Sequence, residues 1–174
     1  PQALESLDGI VVLSDHSRAR LIGAGVSQAK VHRIYPGVGK PAKAIAGEEA
    51  LARRQAVVYA GELDVGATDH LIELARTLAE PTMRGWTLII ACRPSPEDAP
   101  MRARLGRELA GAIGTGRVEI HGEVDDMNAL LERCAVQLFV ADQVQRRVDL
   151  PLVLLEGLAA GLPLVALDRP PVRE

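Results

Sequence analysis

The chain has 174 residues, 20 Lys+Arg against 23 Asp+Glu for a formal net charge of -3, 48% hydrophobic residues, and four aromatics, Tyr35, Tyr59, Trp86 and Phe139. That apolar fraction supports a buried core, and charges of mixed sign exclude both a disordered tail and a polybasic arm; with so few rings to stack bases on, no nucleic-acid partner is expected. The longest apolar stretch, residues 150–167, is interrupted by Glu156, two glycines and two prolines, a poor membrane span that reads instead as a helix followed by a strand.

In chain order, GIVVL (residues 9–13) has the β-branched, fully apolar character of a strand buried on both faces. Ser14 and Asp15 then offer N-cap chemistry for a helix over about residues 16–24, ended by Gly25. VHRIY (31–35) predicts a second strand, and the Pro/Gly/Ala-dense segment after it predicts a linker over 39–54. From Gln55 a longer alternation begins: strand AVVYAGEL, a helix from about Thr68 to Ala79, and strand WTLIIAC. A helix near 101–112, strand RVEIH, a helix near 126–133, strand AVQLFV, a helix near 150–160 and strand PLVAL complete it. Uniformly apolar strands separated by helices of two to four turns specify an α/β fold, a doubly wound parallel sheet with ligands at the carboxyl ends of its strands.

Several motifs fail on context. A P-loop around Gly39-Lys40 lacks its first glycine (Ile34) and its hydroxyl residue (Pro41). GVSQA (25–29) resembles a nucleophile elbow but follows a helix rather than a strand. GAIGTGR (111–117) precedes a strand, so it reads as a plain loop. The four histidines show no metal-ligand spacing, and Cys92 and Cys134 read as small core hydrophobes. His121, at a strand's carboxyl end, keeps two readings: a site residue, or a hydrogen-bonded strand end.

Three strand ends carry AGELDVGA, ACRPSP and HGEVDD, all opening on one rim. Opposite them begins the helix near Pro151, whose first-turn amides of Leu152 and Val153 have no intrahelical acceptor and favour an anion. One turn in, Glu156 brings a carboxylate onto an apolar helix. It either pairs with a sugar diol or forms a salt bridge at the helix edge.

These residues carry a resemblance. LPLVLLEGLAAGLPLVALDRPPVRE (150–174) resembles the signature of the group 1 glycosyltransferases, retaining enzymes of family 4-like type with the GT-B fold and nucleotide-sugar donors. The likeness extends upstream through VEIHGEVDDMNALLERCAVQLFVAD, VVYAGEL and VVLSDHSRARLIGAGVSQAKVHRIYPGVG. It implies that residues 1–38 end an N-terminal acceptor-side domain, that 39–54 link, and that 55–174 form a truncated Rossmann-like donor-binding domain excised from something longer. Glu156 would then hold the donor ribose, the amides of Leu152 and Val153 the diphosphate, and Gly122, Glu123 and Val124 the base, with Gly61, Glu62 and Arg93 on neighbouring loops. The implied partners are a nucleoside-diphosphate sugar, an acceptor sugar, lipid or small molecule, and the missing domain of the same chain. No metal or other cofactor is expected, and the implied location is cytoplasmic, with a peripheral seat on the inner membrane face as its variant.

The charge pattern departs from the family's. Glu62 stands where an arginine neutralises the donor diphosphate, Gly66 or Ala67 where a lysine follows, Val148 where the first of two glutamates spaced eight apart belongs, and Asp149 where a glycine does. Unit charges ~4 Å apart at an effective dielectric of about 20 interact by about 4 kcal/mol, so reversing one phosphate contact is serious. Arg146 and Arg147, before the helix, offer compensation, as do Arg93 and Lys40; Asp149 offers itself as a cap for the helix. Two functions therefore stand: a working transferase, or a non-catalytic binding domain that has lost the donor-phosphate site.

Overall fold

The computed structural model describes residues 4, 6–39, 54–141 and 149–174. They fall into two compact units. The first comprises the described residues up to Val38, residues 149–152 and Asp168–Glu174. Its strands β1 (Ile10–Val12) and β2 (Val31–Arg33) pair in parallel, Ile10 opposite Val31, with helix α1 (Asp15–Gly23) between them. The expected cap is present: the Ser14 hydroxyl accepts the Ser17 N–H at 3.0 Å, so the helix starts one residue before the expected His16. Gly25, at φ 95°, turns the chain out of the helix, a conformation in which a side chain would be strained. Val12, Val26 and Val31 form the core of this unit.

The second unit comprises the described residues of Gly39–Gln143 together with Val153–Leu167. Its elements are β3 (Ala56–Ala60), α2 (Val65–Leu78), β4 (Thr87–Ala91), α3 (Ala99–Glu108), α4 (Ala110–Gly114), β5 (Val118–His121), α5 (Met127–Leu131), β6 (Val136–Phe139), all but the first residue of α6 (Leu152–Ala159), and β7 (Leu164–Ala166). The five strands form one parallel sheet in the order β5-β4-β3-β6-β7. All of β3 is buried, and so is β4 beyond Thr87, which is why these strands carry no charge. The winding reverses between β3 and β6, and such a reversal opens a crevice at the carboxyl ends of the two strands. The doubly wound α/β architecture expected from the strand and helix pattern is the one observed.

Boundaries differ for identifiable reasons. Helix α2 begins at Val65 rather than Thr68 because the Asp64 carboxylate accepts the Ala67 N–H at 2.6 Å and the Asp64 carbonyl takes the Thr68 hydroxyl at 2.7 Å, which carries the helix through Gly66. The single helix expected near 101–112 is two, α3 and α4, meeting at Leu109 (φ -104°, ψ 9°). The segment expected to be a plain loop from Gly111 therefore begins as helix, and turns at Gly116 with φ 72°. Cys92 and Cys134 are buried and free; burial pushes the Cys92 thiol up to about 12, the environment of an inert core residue.

One residue breaks the apolar pattern. Gln137, in β6, is fully buried beneath α6. Its side-chain N–H donates to the Val153 carbonyl at 2.8 Å, while its Oε1 has no hydrogen-bond partner. The space for it comes from Gly157: a Cβ there would fall 1.9 Å from that oxygen. Gly157→Ala must displace the amide or lift the helix, an overpacking penalty of about 1–3 kcal/mol. Urea unfolding is expected to show that loss, and an unchanged midpoint would contradict the packing described.

Candidate functional site

The loops of the crevice are set by strand-end contacts. At the end of β3 the Gly61 N–H donates to the Ala91 carbonyl at 3.1 Å, and the Tyr59 hydroxyl donates to the Glu62 carbonyl. Tyr59 stacks on Phe139 of β6 with ring centroids 6.2 Å apart, and burial raises its phenol well above the ordinary value. A side chain at position 61 would meet that ring pair, its Cβ lying 3.3 Å from Phe139 Cε2. A side chain there would push the ring or the loop by a few tenths of an ångström.

At the end of β4, the Cys92 N–H donates to the His121 carbonyl at 3.2 Å and the Arg102 guanidinium to the Cys92 carbonyl at 2.5 Å. Arg93 then projects into solvent and pairs with Glu123 of the β5 loop at 3.2 Å, the two side chains 80% and 67% exposed. An ion pair this exposed is screened and worth little in stability, but it couples two of the expected site residues. Gly122 lies beside Pro94, and Val124 packs on the apolar core beneath. His121 resolves to the strand-end reading: its Nε2 lies 3.0 Å from Glu119, whose carboxylate also takes the Arg133 guanidinium at 3.0 Å. Burial opposes the charge on Glu119, yet hydrogen bonds from His121 and Arg133 hold its carboxyl below the usual range.

Helix α6 follows β6 and begins behind the buried Pro151. Leu152 is exposed, Val153 half-buried against the core, and Glu156 half-buried one turn further on. Among the described residues nothing hydrogen-bonds to or pairs with the Glu156 carboxylate, so the salt-bridge reading has no partner there. Gly61 and Glu62, Arg93, and Gly122 to Val124 thus stand at the carboxyl ends of three adjacent strands, with α6 on the far side of β3. Arg146, Arg147, Val148 and Lys40 lie outside the described residues. No helix among the described residues is long and apolar enough to cross a membrane, and none of their His, Cys, Asp and Glu residues group in threes that could hold a metal ion.

Asp149 does something other than the capping expected of it. Its carboxylate takes the Leu13 and Ser14 N–H groups (Ser14 at 3.1 Å) and the hydroxyls of Ser14 (2.5 Å) and Ser17, at the start of α1. Four donors saturate it. In the same unit the Glu174 carboxylate accepts the Asp15 and His16 N–H groups at 2.6 and 2.7 Å, so α1's amino end holds two anions, as its dipole favours. Sequence reasoning missed Gln137, whose polar side chain inside AVQLFV was the available signal, and Ser14 and Ser17 as partners of Asp149, for which a separation of more than 130 residues offers none.

The family model for glycosyl transferases of group 1 matches residues 54–174. No curated protein matches the chain. Among solved structures it is similar to Alr3699/HepE of Anabaena in complex with UDP-glucose (TM-score 0.73, 16% identity, 95% of this chain and 46% of that one). It is likewise similar to a glycosyltransferase of Rickettsia africae (0.68, 15%, 95% and 46%) and to the pneumococcal O-GlcNAc transferase GtfA in complex with UDP and GlcNAc (0.66, 18%, 97% and 31%). The chain spans less than half the length of each, and identities this low establish a shared fold: the α/β domain of the carboxyl-terminal half of GT-B glycosyltransferases.

The Asp149 contacts have a testable pH signature. Burial opposes its charge, but bonds from Ser14, Ser17 and the Leu13 amide hold the folded-state carboxyl below the ordinary value of about 4. A depressed carboxyl contributes stability that is present above its unfolded value and lost as pH falls through the folded one. The urea-midpoint difference between wild type and Asp149→Asn is therefore expected to be constant above about pH 5 and to shrink below pH 4. A difference that grows on acidification would contradict the assignment.

Proposed function

The chain belongs to the group 1 glycosyl transferases, and from that membership we propose that it carries the donor-binding half of a retaining, family 4-like enzyme moving a sugar from a nucleoside diphosphate to an acceptor hydroxyl. In this reading residues 1–38 end an acceptor-side domain, 39–54 link, and the sheet beyond binds the donor. The free amides of Leu152 and Val153 at the start of α6 take the diphosphate, as helix amino ends do. Glu156 accepts the two ribose hydroxyls, and Gly122, Glu123 and Val124 edge the base. Stabilising the departing diphosphate is the electrostatic task, met by helix amides and cations without a metal ion. Arg146 or Arg147 supplies the charge that the family draws from the position of Glu62, with Arg93 as a further cation. A cytoplasmic location belongs to the same reading.

The observation that carries it is Glu156: a half-buried carboxylate on an apolar helix at the crevice, unpartnered among the described residues, is a costly group unless a ligand's hydroxyls meet it. The complexes of similar solved structures with UDP-glucose and with UDP support the donor class.

Charge favours a second reading, a binding domain that has lost the diphosphate. The β3–α2 loop presents Glu62 and spends Asp64 on its own helix, and Arg93 is already paired with Glu123. Calorimetric titration of the 174-residue chain with UDP and GDP separates the two. The transferase reading expects micromolar binding of one nucleotide, weakened about 10-fold or more by Glu156→Ala, since a hydrogen bond to a charged group is worth about 1.5–3 kcal/mol. It expects Arg147→Ala to weaken binding too, and 2′-deoxy nucleotide to lose less to the Glu156 change. No binding by a folded chain selects the second reading.

A further inference from the structure

Gln137 and Gly157 are each a liability alone. A fully buried side-chain acceptor without a partner forfeits its hydration, and β6 would be more stable with an apolar residue at that position. Glycine in a helix interior gives up helix propensity. Together they have one product: the missing Cβ at Gly157 admits the Gln137 amide beneath the helix, where its N–H reaches the Val153 carbonyl at 2.8 Å. Val153 lies in the first turn of α6, and its carbonyl is the one that the Gly157 N–H ordinarily takes in an α-helix. The first turn is thus tied to β6 by a directional bond rather than by packing alone.

We infer that Gln137 is a positioning residue of the donor site: through the Val153 carbonyl it ties the first turn of α6 to β6 and so fixes where the amides of Leu152 and Val153 point. This rests on the donor reading above. Costs of this kind are retained where a site needs a geometry that stability alone would not select. No apolar replacement reproduces the tether, because none donates a hydrogen bond to the carbonyl.

The test compares wild type, Gln137→Leu and the double variant Gln137→Leu/Gly157→Ala, in which an alanine methyl refills the notch without restoring the bond. Three quantities are read: the urea midpoint, amide hydrogen exchange at Glu156 and Gly157, and UDP affinity. Gln137→Leu is expected to unfold no more easily than wild type, to exchange at least fivefold faster at those amides as the first turn frays, and to bind UDP at least tenfold more weakly. The double variant is expected to stay weak. Unchanged exchange overturns the tether. Faster exchange with UDP affinity within twofold of wild type overturns the positioning role, as does recovery of affinity in the double variant. Should wild type bind neither UDP nor GDP, the donor reading fails and the positioning role with it, whereas the tether itself is still decided by exchange.

Discussion

The reversal of winding between β3 and β6 is the constraint from which the rest follows. Two neighbouring strands feed crossovers to opposite sides, and the sheet cannot close over the carboxyl ends between them. Whatever begins there faces a crevice. In this chain that element is α6, an apolar helix with one carboxylate, Glu156, and, like any helix, first-turn amides without intrahelical acceptors. The close approach of Gly61 to the Tyr59–Phe139 ring pair keeps the opposing loop low, and the Gln137 bond to Val153 holds the helix to the strand beneath it.

Charge around this frame is unusual for a family whose donors carry a diphosphate. The loop after β3 presents Glu62 and uses Asp64 to start its own helix; Arg93 shares its charge with Glu123. Asp149 keeps its negative charge, which four neutral donors from Leu13, Ser14 and Ser17 stabilise at the start of α1. In the sequence Asp149 reads as a cap for the helix that follows it, whereas in the structure its carboxylate is bound at the start of α1.

Legibility in the sequence followed the range of the interactions. Ser14 was readable as a cap because it acts on an amide three residues away. The buried strands were readable because AVVYA and LIIA carry no charge, and the one polar group, the Tyr59 hydroxyl, finds a carbonyl at the strand's end. The break at Leu109 was not, since the apolar pattern through 101–112 continues across it and only the backbone turns. Of the site, the place of α6 and its carboxylate were legible from periodicity and capping rules, whereas the Asp149 contacts and the Gln137–Gly157 notch depend on residues brought together by the sheet. A polar residue inside an apolar strand names a question without naming its partner.

The central claim is that a nucleoside diphosphate settles at the amino end of α6. Amide shift mapping of the isotope-labelled chain during addition of UDP or GDP tests it most directly. The account predicts the largest shifts at Leu152, Val153 and Glu156, with a second group at Gly122, Glu123 and Val124. Saturable shifts confined to other surfaces, or a spectrum of a folded chain that does not move, would contradict it.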